Sequence, residues 1–154
     1  MSELLTGETW LVVADANSAA HRLARRHYSA RHYRDGRRSK KFVGPGAYLA
    51  LLTPDERAVC IFKKFRDASG EKGVCLSLFR NESERLASKL IVAACQAAWC
   101  KWPGERLYTY VNTQKVRGTN PGYCFLRAGW RRAGWTRGGL LVLERLAAAR
   151  GGGK

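Results

Sequence analysis

The residues from Asn112 to Arg137 combine side chains that bind anions with side chains that transfer protons. This stretch contains four aromatic residues and no Asp or Glu. Tyr123 follows an Asn-Pro-Gly turn that begins at Asn120, and a phenol at the mouth of a crevice can act as a general acid. Six cations surround it, and we expect them to hold phosphates: Lys115, Arg117, Arg127, Arg131, Arg132 and Arg137.

A second group of reactive side chains lies in residues 21–41, where His27 and Tyr28 are neighbours. Histidine carries protons near neutral pH and is the commonest metal ligand. Imidazole together with phenolate suits an iron ion better than zinc. An iron site made by His27, Tyr28 and Tyr123 is one interpretation of this pattern, and packing of the rings beneath a sheet is the other.

The charge of the chain indicates a polyanionic partner. The sequence has 28 Lys+Arg against 12 Asp+Glu, a formal net charge of +16. Residues 21–41 hold nine Lys/Arg and one acid, so half of that charge, +8, lies in one segment. Cations that neutralise phosphates release counterions, which favours binding to nucleic acid. We expect double-stranded DNA to contact Arg34, Arg37, Arg38, Lys40, Lys41, Lys115, Arg117, Arg131 and Arg132.

Several other classes of protein are disfavoured. No segment approaches the roughly 20 apolar residues that cross a membrane, so we expect no membrane partner. Residues 1–10 lack the cationic start and apolar core of a secretory signal, which predicts a cytoplasmic location. The five cysteines form no CxxC pair, and we interpret them mainly as small buried hydrophobic residues.

Hydrophobic patterns predict an α/β (α+β) fold in one domain, 1–146, followed by a flexible tail, 147–154. The predicted order of elements is β, α, β, β, β, α, β, short α, β, β. The predicted strands are 8–13, 47–53, 58–65, 74–79, 106–111, 129–136 and 140–146; the main helices are 15–33 and 80–102.

The start of the second main helix carries an apparent capping signal. Asn81 is followed three residues later by Glu84, which is the spacing of a capping box. Arg80, Ser83 and Ser88 lie on either side of this start. Cations and hydroxyls beside a helix N-terminus can bind a phosphate or pyrophosphate, and surface capping is the simpler alternative.

This order of elements, together with the segment FLRAGW from Phe125 to Trp130, resembles the GNAT acetyltransferase superfamily. The resemblance covers nearly the whole chain and implies a mixed, mostly antiparallel splayed sheet of about seven strands with flanking helices. Acyl-coenzyme A would enter between the fourth and fifth predicted strands, 74–79 and 106–111. It implies acetyl-CoA or a related acyl-CoA as the donor, with its pyrophosphate on the N-terminus of the main helix. The implied cofactor contacts are Arg80, Ser83, Ser88, Asn120 and Phe125.

The chain also departs from the superfamily pattern. GNAT proteins usually carry a glycine-rich motif before the main helix, whereas this sequence reads RNESERLAS from Arg80 to Ser88. Phe125 stands where the superfamily usually has a proton-donating Tyr, and Tyr123 lies two residues earlier. The catalytic groups have therefore moved, or the reaction is not ordinary acetyl transfer.

One branch fits these departures and the charge together. The His27–Tyr28 pair, the Arg-Asn segment before the main helix, Ser88 and the segment NPGYCF are similar to the Mom-like DNA-modification proteins of phages. That similarity implies modification of the adenine amino group in DNA, a location in the host-cell cytoplasm, and iron held by tyrosines. The implied catalytic residues are Tyr123, His27, Tyr28 and Asn112.

Other functions remain open on the sequence. The protein could acetylate an amine on a hypermodified pyrimidine of phage DNA, or it could be a non-catalytic DNA-binding protein with a GNAT-like shape. Acetylation of a small amine or of a protein is disfavoured, because that acceptor usually calls for an acidic groove. A homodimer is also left open, as are the base, its sequence context, the acyl donor and the presence of iron.

Overall fold

We describe the fold from a computed structural model, which covers residues 3–5, 9–14, 17–25, 46–65, 67, 69–114 and 122–147. These residues form an α+β fold with a mixed sheet and three helices. The strands are β1 (Glu3–Leu5), β2 (Trp10–Val13), β3 (Ala47–Leu52), β4 (Ala58–Lys64), β5 (Val74–Asn81), β6 (Leu107–Val111), β7 (Arg131–Trp135) and β8 (Leu141–Arg145). The helices are α1 (Ser18–Arg25), α2 (Ala87–Lys101) and α3 (Tyr123–Arg127).

The described strands form one eight-stranded sheet in the order β1-β2-β3-β4-β5-β6-β8-β7. Every neighbouring pair is antiparallel except β5 and β6, which are parallel. The predicted order of elements and the mixed, mostly antiparallel sheet are therefore confirmed. The strand β1 adds one strand to the predicted seven, because three residues were too few to be recognised from their pattern.

Two apolar cores lie on the opposite faces of the sheet. Residues of α2 and α3 pack on one face, while α1 packs on the other. Residues of β4 alternate between the two faces, so that Phe62 faces α2 and Ile61 faces α1. The indole N–H of Trp10 donates to the carbonyl of Leu90 at 3.0 Å, which fixes α2 against the sheet.

The cysteines divide between core and surface. Cys60, Cys75 and Cys95 are buried, as predicted for small hydrophobic residues. Cys124 is partly buried and Cys100 is exposed. The interpretation as core residues is thus confirmed for three of the five cysteines.

The second main helix begins later than predicted. Arg80 and Asn81 belong to β5, where they pair with Val59 and Ala58 of β4. The residue that precedes the helix is Leu86, which makes no side-chain capping hydrogen bond. The capping-box prediction was therefore wrong, because the β5 ladder extends through Asn81 and a loop of residues 82–86 intervenes.

Asn81 stabilises that intervening loop instead. Its Oδ1 accepts hydrogen bonds from the backbone N–H and the hydroxyl of Ser83, and its Nδ2 donates to the carbonyl of Arg85 at 2.8 Å. Side chains of this type often compete with a helix start by forming such local turns. The Asn81 side chain thus delays the helix until Ala87.

Some predictions fall wholly or partly outside the described residues. The helix predicted for 15–33 is seen as α1, and residues 26–45 are not described. The predicted tail lies outside the described residues from 148 onwards. Within the described part of the chain, every helix is too short or too polar to cross a bilayer.

Gly73 provides a test of how tightly β5 and β6 are joined. Its φ is +119°, and a Cβ added there would collide with the backbone carbonyl of Arg106. We expect Gly73→Ala to lower the free energy of unfolding by about 3 kcal/mol, the sum of left-handed backbone strain and overpacking.

Gly70 is the matched control, because its φ is +83° with open space around the added Cβ. Gly70→Ala should cost only about 1 kcal/mol. Equal losses for the two variants in urea denaturation would show that the close approach to Arg106 is unimportant.

Candidate functional site

The parallel strands β5 and β6 are paired only at their first residues. Val74 pairs with Leu107 and Cys75 pairs with Tyr108, whereas β5 continues to Asn81 and β6 to Val111. At the limit of the paired region, the hydroxyl of Thr109 donates to the carbonyl of Leu76 at 2.7 Å. The ladder between β5 and β6 therefore has an interruption over the C-terminal parts of both strands. We refer to this interruption as the β5–β6 gap.

A bulge in β5 accompanies this separation. Phe62 of β4 pairs with Leu76, and Ile61 pairs with Leu78, which leaves Ser77 as the extra residue. The Ser77 hydroxyl donates to the carbonyl of Ile61 at 3.3 Å. Because a bulge bends a strand and increases its twist, we attribute the divergence of β5 from β6 to Ser77.

The N-terminus of α2 lies at the end of the loop that follows β5. Leu86 offers no capping oxygen, and the first turn holds no acidic residue. The first N–H groups of a helix lack intrahelical partners and carry partial positive charge, so they favour an anion. Ser88 lies in this first turn.

The other two predicted donor contacts at this junction are already engaged. Arg80 Nε donates to Glu82 Oε2 at 2.7 Å. The Ser83 hydroxyl donates to Asn81 and accepts from the backbone N–H of Arg85 at 3.1 Å. Arg80 and Ser83 thus lie near the helix start but stabilise the loop, and Ser88 is the better placed of the three.

Tyr123 and Asn112 lie near the C-terminal end of β6. Gly122, with φ of +79°, precedes α3, and a Cβ there would lie 2.7 Å from Leu143 Cδ1 and 3.5 Å from Val111 Cγ2. Tyr123 is the first residue of α3 and is 55% exposed. Asn112 follows Val111, and its Oδ1 accepts from the backbone N–H of Gln114 at 3.1 Å. The close approach of Gly122 to Val111 therefore brings Tyr123, whose side chain is exposed, to the C-terminal end of β6.

Phe125 is part of the core. It is 8% exposed, and its ring meets those of Phe79 and Trp130 edge to face, with centroids 6.2 Å and 5.0 Å apart. Phe79 belongs to β5, so these rings link α3 to the β5 side of the gap. Phe125 thus contributes packing at this position and no polar group.

Cys124 is poorly suited to nucleophilic catalysis. Burial raises the pKa of its thiol above the ordinary value, and the thiolate is the reactive form. At this turn, Tyr123 is therefore a better candidate for a catalytic group than Cys124.

Many of the predicted site residues fall in segments that the structure does not describe, so their positions and the proposed iron ligand set stay predictions. Among the described residues there is no group of three His, Cys, Asp or Glu that could hold a metal ion. Tyr123 is the one member of the iron set that the described ranges include. The residues outside them are His27, Tyr28, Arg34, Arg37, Arg38, Lys40, Lys41, Lys115, Arg117 and Asn120.

The sequence did not predict a hydrogen-bonded group at the paired end of β5 and β6. Tyr108 and Tyr110 donate their phenolic O–H groups to the same oxygen of Asp67, Oδ2, at 2.7 and 2.8 Å. The backbone N–H of Ser69 donates to Oδ1 of that carboxylate at 2.8 Å. The signal was present in the alternation of LYTYV, which places both phenols on one face of β6. Their common acceptor, Asp67, belongs to a loop that is distant in the sequence, and the hydrophobic pattern does not reveal its contact with β6.

The environment of this group shifts the pKa values in opposite directions. Burial alone would raise the pKa of Asp67, but the hydrogen bonds from Tyr108, Ser69 and Tyr110 outweigh it and lower the pKa. Burial and the hydrogen bonds to Asp67 raise the pKa of both phenols. The carboxylate is thus ionised and the phenols are neutral at neutral pH, which locks the loop before β5 onto β6.

An ionic network lies at the same end of the sheet. Arg106 binds Glu144 at 2.7 Å and Glu71 at 2.9 Å, and Arg131 Nε donates to the second Glu144 oxygen at 2.6 Å. These hydrogen bonds, chiefly that from Arg106, lower the pKa of Glu144. Arg131 was predicted to contact DNA, and its side chain, 67% exposed, is partly committed to this network. Its neighbour Arg132 is exposed on β7.

Comparisons with protein-family models, with curated proteins and with solved structures return no match.

The Asp67 group predicts a specific pH dependence of stability. Because the folded pKa of Asp67 lies below the unfolded value of about 3.9, its contribution is complete above that pH and is lost as pH falls through the lower folded pKa. We expect Asp67→Asn to reduce the free energy of unfolding by about 1–2 kcal/mol near neutral pH, since the site is partly exposed.

Urea denaturation of the wild type and of Asp67→Asn at about pH 7 and about pH 3 checks this expectation. The difference between the two proteins should shrink at the lower pH. A difference of the same size at both values would contradict the role of the carboxylate charge. Tyr48→Phe is a control phenol outside this group.

Proposed function

We propose that this protein is a GNAT-like transferase that moves an acyl group from acyl-coenzyme A to an amino group on a base in DNA. The observation that carries the proposal is the β5–β6 gap, which opens beside the uncapped N-terminus of α2. Two parallel strands that separate beside a helix N-terminus form a slot for a long ligand with an anionic end. The resemblance to the GNAT superfamily predicts such a slot for acetyl-CoA or a related acyl-CoA.

The two sides of the open end of the gap would receive different parts of the donor. The pyrophosphate would lie against the N–H groups of the first turn of α2 and the hydroxyl of Ser88, where the helix dipole favours negative charge. The apolar pantetheine arm would pass Phe79, whose ring lies beside Phe125. The thioester would then reach the C-terminal end of β6, near Asn112 and Tyr123.

The chemistry proposed at that end is ordinary acyl transfer. The amine nitrogen attacks the thioester carbonyl carbon, a C–N bond forms, and the C–S bond breaks. Tyr123 donates its proton to the departing thiolate, and the proton lost by the amine returns to the phenolate through water. A phenol is a competent general acid for a thiolate, because their pKa values are close. The products are the acylated amine and coenzyme A with a free thiol.

The charge supports DNA as the acceptor. A net charge of +16 favours a polyanion over a small amine or an ordinary protein. A base amine inside a duplex is shielded by stacking, so the enzyme must extrude it or reach it from the major groove.

The similarity to Mom-like phage proteins favours the adenine amino group. An amine on a hypermodified pyrimidine is the alternative acceptor. Tyr123 is the only described member of the implied iron set, and the acyl transfer proposed here does not use iron.

A specific observation favours a second candidate, a DNA-binding protein without catalytic activity. The loop of residues 82–86 contains no glycine, and the side chains of Arg80, Asn81 and Ser83 already bind within it. Hydrogen-bond donors that are engaged within the loop are less available to bind a pyrophosphate. This candidate predicts DNA binding without any effect of acyl-coenzyme A.

Mass spectrometry of nucleosides from plasmid DNA tests the transferase, with the plasmid grown in cells that express the protein. We expect a new, heavier adenosine-derived nucleoside with the wild type, and its loss with Tyr123→Phe because the general acid is removed. Ser88→Glu should also abolish the product, since a carboxylate in the first turn suits the helix but repels a pyrophosphate. Gln96→Glu is the matched control, because it adds the same charge at an exposed position further along α2.

The control should retain the product at the level of the wild type. A product that persists in both Tyr123→Phe and Ser88→Glu would remove these residues from the site. If the wild-type DNA carries no new mass, and the purified protein binds DNA without response to acetyl-CoA, the non-catalytic candidate replaces the transferase.

A further inference from the structure

The outer strand β7 exposes a large aromatic side chain. All five of its residues are exposed, and Trp135 retains 63% of its accessible surface. By contrast, Trp10 and Trp130 are almost fully buried, at 0% and 3%. The indole of Trp135 thus contributes little to the core, and its surface is available to a ligand.

The strand register places Trp135 on the same face of the sheet as α3. Trp135 pairs with Leu141, and Arg132 pairs with Leu143. Both leucines belong to the core beneath α2 and α3. Paired residues in antiparallel strands point to the same face, so Trp135 and Arg132 share the face on which α3 packs.

The start of α3, at Tyr123, lies close to this surface. The Cβ position of Gly122 lies 2.7 Å from Leu143 Cδ1, so the start of α3 lies over β8, the strand next to β7. Arg132 pairs with Leu143, so it is the β7 residue next to this contact, and Trp135 lies further along the same strand, opposite Leu141. Two exposed aromatic residues and one arginine therefore share this face of the sheet. We call Tyr123, Arg132 and Trp135 the aromatic shelf.

The edge of β7 is not suited to pairing with another strand. Its register shifts between Arg132 and Gly134, and Gly134 has φ of +146°. A bulge and a run of charged residues are devices by which edge strands avoid adding a further strand. Interactions at this edge are thus expected from its side chains and not from its backbone.

The charge around the shelf indicates the class of ligand. Arg132 lies on the same face as Trp135, Arg137 follows two residues after Trp135, and residues 131–140 contain no acidic residue. Proteins that grip unpaired nucleotides combine cations for the phosphates with aromatic faces on which bases stack. Arginine also contributes cation–π interactions with such rings and bases.

We propose that the aromatic shelf binds an unpaired nucleotide of DNA, with its base stacked on Trp135. The inference rests on the proposed function in taking DNA as the ligand, but it does not require acyl transfer. It adds that the strand is held in an unstacked state beside Tyr123, which would deliver an extruded base to the open end of the β5–β6 gap. Enzymes that modify bases pay a few kcal/mol for extrusion, and stacking on an exposed aromatic offsets part of that cost.

Binding of the full-length protein to a dye-labelled oligothymidine of about a dozen nucleotides tests the proposal. Anisotropy of the dye gives the Kd, and quenching of Trp emission reports stacking independently. We expect Trp135→Leu to weaken binding roughly 5- to 150-fold and to remove most of the quenching, the loss typical of one stacked base. Trp135→Phe should retain most of the affinity because it keeps an aromatic face.

Two further variants separate stacking from charge. Arg137→Ala should lower the slope of log Kd against log salt by about 0.7, the value for one phosphate contact on a single strand, whereas Trp135→Leu should leave that slope unchanged. Leu146→Ala is the control, because Leu146 is also an exposed apolar residue, 44% accessible, but lies beyond the opposite end of β8. Its Kd should equal that of the wild type.

Three results would overturn the proposal. If Trp135→Leu binds the oligonucleotide as the wild type does, the shelf does not stack a base, while DNA binding by the protein still stands. If the wild type binds neither single-stranded nor duplex DNA, the shelf and the proposed acceptor both fail. If the wild type sediments as a dimer and Trp135→Leu as a monomer, Trp135 is an interface between copies of the chain.

Discussion

Two adjacent residue pairs, Val74–Leu107 and Cys75–Tyr108, join the two halves of the sheet. Strands β1 to β5 lie on one side of this junction and β6 to β8 on the other. A junction so short would be weak if the backbone ladder were its only support. The remaining contacts at that end supply the support, and they explain why so many polar side chains converge there.

Three kinds of contact reinforce the junction. Asp67 draws Tyr108 and Tyr110 onto the loop before β5. Arg106 connects Glu71 in that loop with Glu144 on β8. Gly73 lets the chain pass against the backbone of β6 where no side chain would fit. With one end fixed in this way, the bulge at Ser77 can turn β5 away from β6 without separating the two halves of the sheet. A rigid closed end and an open far end are what a slot for an elongated ligand requires.

The sequence predicted the elements better than it predicted the site. The continuous apolar runs in β4 and β8 and the apolar face of α2 reflect local burial, so the pattern of apolar residues was sufficient to place these elements. The start of α2 was misplaced, because Asn81 satisfies a loop and the β5 ladder competes with the helix for the same residues. The capping signal at Asn81 was consistent with a helix start, but Arg80 and Asn81 pair instead with Val59 and Ala58 of β4.

Site residues contributed by distant loops were the least predictable. Tyr123 is brought to the end of β6 by the contacts of Gly122 with Leu143 and Val111, which join residues on different elements, whereas Asn112 follows β6 directly. Asp67 gave no periodic signal, and the exposure of Trp135 follows from its place on the outermost strand. Composition alone, in contrast, was enough to indicate a polyanionic partner, because net charge does not depend on the fold.

The central claim is that the β5–β6 gap is the binding slot for the acyl donor. Hydrogen exchange of the backbone amides, measured with and without saturating acetyl-CoA, tests it most directly, since amides of separated strands exchange readily until a ligand covers them. The account predicts slower exchange in residues 76–81 of β5 and in the first turn of α2, with no change in β3 or β7. Unchanged exchange in both segments at saturating acetyl-CoA would contradict the claim.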